Sequence, residues 1–161
     1  MDKLRLEKVN GKTRTIFAAE FTKLKPEARV PSHGSAIAAG YDLYACIDEP
    51  VHICSHETKL IGTGLAIKPP EGLFGAIFAR SGLASKQGLR PANCVGVADE
   101  DYRGEYMVAL HNDSENTQTV NPGDRIAQLA FLNYYLVDFV EVDKLDDTDR
   151  GTGGFGSTGV N

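Results

Sequence analysis

The sequence is short of several things that would point to common functions. It has three cysteines, Cys46, Cys54 and Cys94, an odd set without CxxC spacing. That excludes a disulfide framework and fits a reducing, cytoplasmic compartment. No apolar run approaches the length of a membrane span. The first fourteen residues, MDKLRLEKVNGKTR, are charged throughout and lack the apolar centre of a secretory signal. No membrane partner is therefore expected. Positive charge is scarce as well: 17 basic against 22 acidic residues give a net charge of −5. A broad nucleic-acid-binding face needs a basic surplus, so that class is set aside too. A small anion held by a few local arginines stays open. Helical periodicity is almost absent, and only GLASKQG, residues 82–88, suits a short helix. There is no internal repeat and no second-domain boundary within the 161 residues.

What is present is β-rich. RTIFAAEF, YDLYACI, VHIC, TKLIGTGLAIK, LFGAIFA, EYMVALH, TQTV, RIAQLAFL and YYLVDFVEV are short runs rich in branched and aromatic residues. Turn signals such as Pro69-Pro70-Glu71-Gly72 and Asn121-Pro122-Gly123-Asp124 separate them. The expected fold is all-β: a sandwich, jelly roll or barrel. Residues 1–20 read as an N-terminal extension, loose over its first twelve. Residues 21–143 read as the β domain, and 144–161 as a polar C-terminal arm.

Five islands mix glycine with charged or hydroxyl residues beyond what a turn needs. AGYDLYA places Asp42 at an apolar strand start, where it caps a turn or meets a ligand. ARSGLAS carries Arg80, Ser81 and Gly82 out of a strand into the short helix. Helix-start N–H groups with a guanidinium and a hydroxyl suit phosphate oxygens, although Ser81 as a plain N-cap is the alternative. ANCVGVADEDYRGEYMVAL reads as a β-hairpin whose edge groups suit a flat base, with Asp99 as a candidate general base or an ordinary acidic turn. PGDRIAQLAF sets Gln128 in an apolar strand, where it either faces outward or, if buried, needs a partner. The last twelve residues, RGTGGFGSTGVN, contain five glycines, together with Arg150, Phe155, Gly156, Ser157 and Thr158. They lack the GK[ST] of a P-loop, yet glycines permit close backbone approach to phosphates. HICSH puts His52, Cys54 and His56 at alternate positions of a possible strand, but three ligands favour an ordinary strand over zinc.

In this order and with these gaps, AGYDLYA, RSGLA, GVADEDYRGE, GDRIAQL and RGTGGFGSTG resemble the five motifs of the homotrimeric dUTP diphosphatases (dUTPases). The likeness runs from about Phe21 to the C-terminus. It implies a distorted jelly-roll-like β-barrel, a homotrimer with active sites shared between subunits, and Mg2+-dependent cleavage of dUTP to dUMP and pyrophosphate. That reaction keeps uracil out of DNA and supplies dUMP for thymidylate synthesis. By resemblance, Asp99 activates water, Tyr102 lies under the deoxyribose, and Asn93, Gly96 and Met107 read uracil. Arg80, Ser81, Gly82 and Gln128 resemble phosphate contacts from a neighbouring subunit, and Asp42 the residue that orients a water on Mg2+. Arg150, Phe155, Gly156, Ser157 and Thr158 match the closing arm. One departure is Ala98, where the family usually has a branched apolar residue. The dCTP deaminases share this fold, and a non-catalytic nucleotide-sensing module is the other rival. The YRGE turn and the full glycine arm favour the diphosphatase.

Overall fold

Alternating apolar residues set the strands, and glycine, proline and aspartate set the turns between them. The computed structural model describes residues 4–154. In chain order its strands are β1 (Leu4–Val9), β2 (Lys12–Phe17), β3 (Glu20–Lys23), β4 (Ser32–His33), β5 (Tyr41–Tyr44), β6 (Val51–Ile53) and β7 (Thr58–Lys68). After β8 (Leu73–Phe78) comes the helix α1 (Ser81–Gln87), then β9 (Leu89–Pro91), β10 (Val95–Ala98), β11 (Glu105–Asn112), β12 (Gln118–Val120) and β13 (Arg125–Asn133). Five strands form one sheet in the order β10-β8-β13-β5-β4, and four form a second in the order β3-β7-β11-β9. Two strand pairs, β1-β2 and β12-β6, complete a jelly-roll-like β fold. The pairings are antiparallel.

The core lies between the two large sheets. On β11, Tyr106, Val108 and Leu110 point inward at every second position, as a strand period of two requires. They meet Ala98 from β10, Ile77 from β8 and Leu129 from β13 in one cluster. Asn112 is fully buried, but its amide is satisfied: Nδ2 donates to Ile53, Cys54 and Asn116 carbonyls, and Oδ1 accepts from Ser114.

Three expectations need correction. Residues 4–12 are not loose: β1 and the start of β2 belong to a hairpin turned by Asn10 and Gly11, at φ 49° and 75°. Asn-Gly favours such a two-residue turn, and the signal is in the sequence. YYLVDFVEV forms no strand; β13 ends at Asn133, and residues 134–142 run on without a strand partner. A strand needs a paired edge, and no described strand of this chain supplies one. Residues 92–110 are not a simple paired hairpin either. β10 pairs with β8 in the first sheet, whereas β11 pairs with β7 and β9 in the second. The acidic turn thus carries the chain from one sheet to the other, because Ala98 and Tyr106 must both reach the shared core.

Candidate active site

The sequence-predicted residues fall into two clusters, placed by opposite ends of β8. At the first, Ala98 pairs with Gly75, and Asp99 leaves β10 beyond it. The turn is held by its own backbone: Tyr102 N–H donates to Asp99 O at 3.1 Å, and Arg103 Nη1 donates to Glu100 O and Tyr102 O at 2.7 and 2.8 Å. Glu100 accepts from Gly72 N–H at 2.8 Å and Tyr134 Oη–H at 2.7 Å, fastening the turn to its surroundings. That carboxylate also pushes the Tyr134 phenol above its ordinary pKa. With its backbone fixed this way, the turn presents Asp99 exposed at an open groove of about 700 Å³, lined also by Phe74, Val97, Arg103 and Leu136. Among the described residues, no donor bonds the Asp99 carboxylate. It is therefore open to hydrogen bonding from an incoming group.

Tyr102 lies beside this turn, and its hydroxyl donates to Glu105 O at 3.0 Å. A Cβ at Gly104 would collide with that hydroxyl, so glycine is what lets the ring lie flat there. Gly96 is equally confined: an added Cβ would come within 3.1 Å of Ile77 Cβ and 3.5 Å of Asn93 Nδ2. Asn93 and Gly96 are thus neighbours, while Met107 sits partly exposed on β11, on the other sheet.

The second cluster gathers where β5, β8 and β13 meet. The register aligns Gln128 with both Asp42 and Phe78. Asp42 is mostly covered and accepts from Arg80 Nε at 2.9 Å and from Arg125 Nη1 at 3.3 Å. Gln128 Nε2 donates to Ala79 O at 2.8 Å, so the strand amide has its partner. A cavity of about 220 Å³ opens here, lined by Gly34, Gly40, Asp42, Arg80, Ser81, Gly82, Arg125 and Gln128. Arg80, not Ser81, is the N-cap of α1, and it makes no side-chain capping bond. Ser81 starts the helix, so its hydroxyl is not spent on capping. Arg125 is the residue that sequence reasoning passed over. It lies inside the quoted GDRIAQL island, but nothing in a single strand reveals that it shares a carboxylate with Arg80.

From the level of Phe74 to Arg80, β8 and its extension cover six residues, about 20 Å at roughly 3.3 Å each. The two clusters of one chain are therefore far apart. Arg150 is exposed and donates to Gly153 O at 2.9 Å. Phe155, Gly156, Ser157 and Thr158 lie outside the described residues. The HICSH stretch does not present one face: β6 ends at Ile53, and His56 turns at φ 58°. His52 Nδ1 instead pairs with Thr119 Oγ1 at 2.9 Å, and no metal-holding group of three His, Cys, Asp or Glu occurs among the described residues.

A dUTPase family model matches residues 26–159. A deoxyuridine 5'-triphosphate nucleotidohydrolase of Desulfitobacterium hafniense (strain DSM 10664 / DCB-2) is 50% identical over 133 residues, covering 82% of this chain and 88% of the relative. One of Candida albicans (strain SC5314 / ATCC MYA-2876) is 46% identical over 138 residues, covering 84% of each. Among solved structures, a mutant dUTPase of Staphylococcus bacteriophage 80alpha with dUpNHpp superposes with a TM-score of 0.77 at 26% identity, over 89% of this chain and 99% of that one. A mutant dUTPase of phage phi11 of S. aureus, described with a structural Mg(II) ion, gives 0.72 at 24% identity, over 81% of this chain and 99% of that one, a likeness of fold.

Proposed function

The chain belongs to the dUTPase family and is a dUTP-hydrolysing enzyme, and from that premise we propose that Asp99 is its general base. Asp99 takes a proton from a water, whose oxygen bonds to the α-phosphorus in line. The bond from that phosphorus to the bridging oxygen breaks, and the electron pair leaves with pyrophosphate. The observation that carries this reading is the exposed Asp99 carboxylate, with no hydrogen-bond donor among the described residues, on a turn whose backbone is fixed.

Tyr102 serves as the platform under deoxyribose, and Asn93, Gly96 and Met107 bound the uracil pocket. Arg80, Ser81, Gly82 and Gln128 bind the phosphates. The reacting phosphorus and the groups that hold its oxygens must come within a few ångströms of one another. The roughly 20 Å between the clusters of one chain supports a homotrimer in which each site takes Asp99 from one subunit and Arg80 from another. The apolar side chains after β13 support assembly too: Tyr135, Leu136 and Phe139 are 87%, 92% and 97% exposed and need a neighbour to cover them. Arg150 and Phe155 to Thr158 then close over a site as an arm.

The donor set fits Mg2+ in a particular way. With no metal-holding cluster among the described residues, an ion here would be held by substrate phosphates and waters, which is the habit of Mg2+. Asp42 would reach one of those waters. When bound, the ion would offset phosphate charge. In the cell, this activity would keep uracil out of DNA and supply dUMP for thymidylate synthesis. The free thiols fit a cytoplasmic setting.

The test is pyrophosphate release from a nucleotide panel with and without Mg2+. Release from dUTP alone, and only with the ion, is expected. Ammonia release from dCTP would favour a deaminase and overturn the reading.

A further inference from the structure

Tyr106 is the largest fully buried side chain among the described residues, and its hydroxyl has no hydrogen-bond partner there. An unpaired buried hydroxyl is unfavourable, so its position calls for a reason. The residue sits where the β11–β7 register shifts, between Glu105 opposite Ala66 and Met107 opposite Gly62. Such irregularities re-aim a side chain. Here two bonds pin the site: Thr63 Oγ1 donates to Tyr106 O at 2.6 Å, and Glu105 Oε1 accepts from Gly64 N–H at 2.7 Å. The ring is thereby sent across the core from the second sheet to the first.

It arrives behind the catalytic turn. An added Cβ at Gly75 would lie 3.1 Å from Tyr106 Oη and 3.4 Å from Ala98 Cβ. Gly75 and Ala98 are cross-strand partners, and their small size leaves a notch that the tyrosine hydroxyl fills. On its other side, the Tyr106 ring lies 6.1 Å from that of Tyr102. Burial pushes the phenol up to about 12, so it stays protonated and acts by shape rather than by proton transfer.

We propose that Tyr106 is a positioning residue, a brace across the two sheets that fixes Asp99 through Ala98 and Tyr102 through ring contact. The inference rests on the roles given above to Asp99 and Tyr102.

Two variants test it. Tyr106→Leu withdraws the hydroxyl end and the ring. Turnover per folded site should fall on the order of tenfold to a hundredfold, as small misplacements at a reacting centre do. KM for dUTP should hold, and the preference for dUTP over UTP should narrow as Tyr102 loses its backing. Gly75→Ala presses a methyl against Tyr106 Oη and Leu129 Cδ1, each 3.1 Å away, and should lower turnover; adding Tyr106→Phe, which removes only the first contact, should restore part of it. A Tyr106→Leu enzyme that melts earlier but keeps wild-type turnover and sugar preference would overturn the brace. Should Tyr106→Leu fail to fold, the Gly75→Ala pair decides: absence of rescue by Tyr106→Phe overturns it equally. Asp99→Asn run alongside separates the two claims. Near-normal turnover there removes the base, whereas an inactive Asp99→Asn beside an unaffected Tyr106→Leu removes only the brace.

Discussion

Asp42 lies within β5 and Asp99 just beyond β10, and the molecule treats the two aspartates in opposite ways. Asp42 is mostly covered, with a guanidinium on each oxygen. Asp99 is exposed, with no donor to its carboxylate among the described residues. A carboxylate already engaged by two cations is a good anchor. It holds Arg80 extended beside the small cavity instead of free to swing. A carboxylate without partners holds nothing in place, yet it is available for chemistry. On the proposed reading, the difference separates a group that organises a phosphate clamp from one that acts.

The largest effect expected from this contrast is on turnover. Asp99→Asn keeps the shape and removes the basicity, so kcat should drop by about 10²–10⁴-fold. Because no described residue bonds the carboxylate, the melting temperature should be unchanged, and calorimetry beside steady-state kinetics checks both. Next comes Arg80→Met, which would remove the proposed charge-assisted phosphate contact, worth about 1.5–3 kcal/mol. kcat/KM for dUTP should fall roughly 10–150-fold, the factor that energy implies.

Asp42→Asn should act on stability, which Asp99→Asn leaves alone. It weakens the pairing of a half-buried guanidinium, costing about 1–3 kcal/mol of stability, or several degrees of melting temperature at roughly 2–4 °C per kcal/mol. If Asp42→Asn melts like the wild type, its anchoring role is lost. Arg125→Met should be the mildest. That side chain is 53% exposed and its bond to Asp42 is 3.3 Å, so about 1 kcal/mol or less is expected in chemical denaturation.

Much of this was legible in the sequence. The all-β class and most strands follow from period-two runs and turn residues, and the five islands contain nearly every residue of the two clusters. What could not be read was which strand meets which. The stretch around Asp99 looks like a hairpin because apolar runs flank a polar turn, and only the sheet order shows that the two runs part company. For the same reason, the Arg125 bond to Asp42 spans 83 positions and leaves no local trace. YYLVDFVEV has the composition of a strand but no partner edge in its own chain, and composition cannot report that. The Asn10-Gly11 hairpin is different: its turn signal stands in the sequence, between strands that are mostly exposed and rich in charge.

The central claim is that Asp99 and Arg80 serve the same triphosphate only across subunits. Purified Asp99→Asn and Arg80→Met chains, unfolded together in equal amounts and refolded, test it most directly. In a cyclic trimer every mixed assembly contains one site with both an intact base and an intact clamp. About three-quarters of trimers are then mixed, and roughly a quarter of wild-type activity should appear, well above either parent. Verified mixed trimers no more active than the average of the two parents would contradict the account, because a site built within one chain gains nothing from mixing.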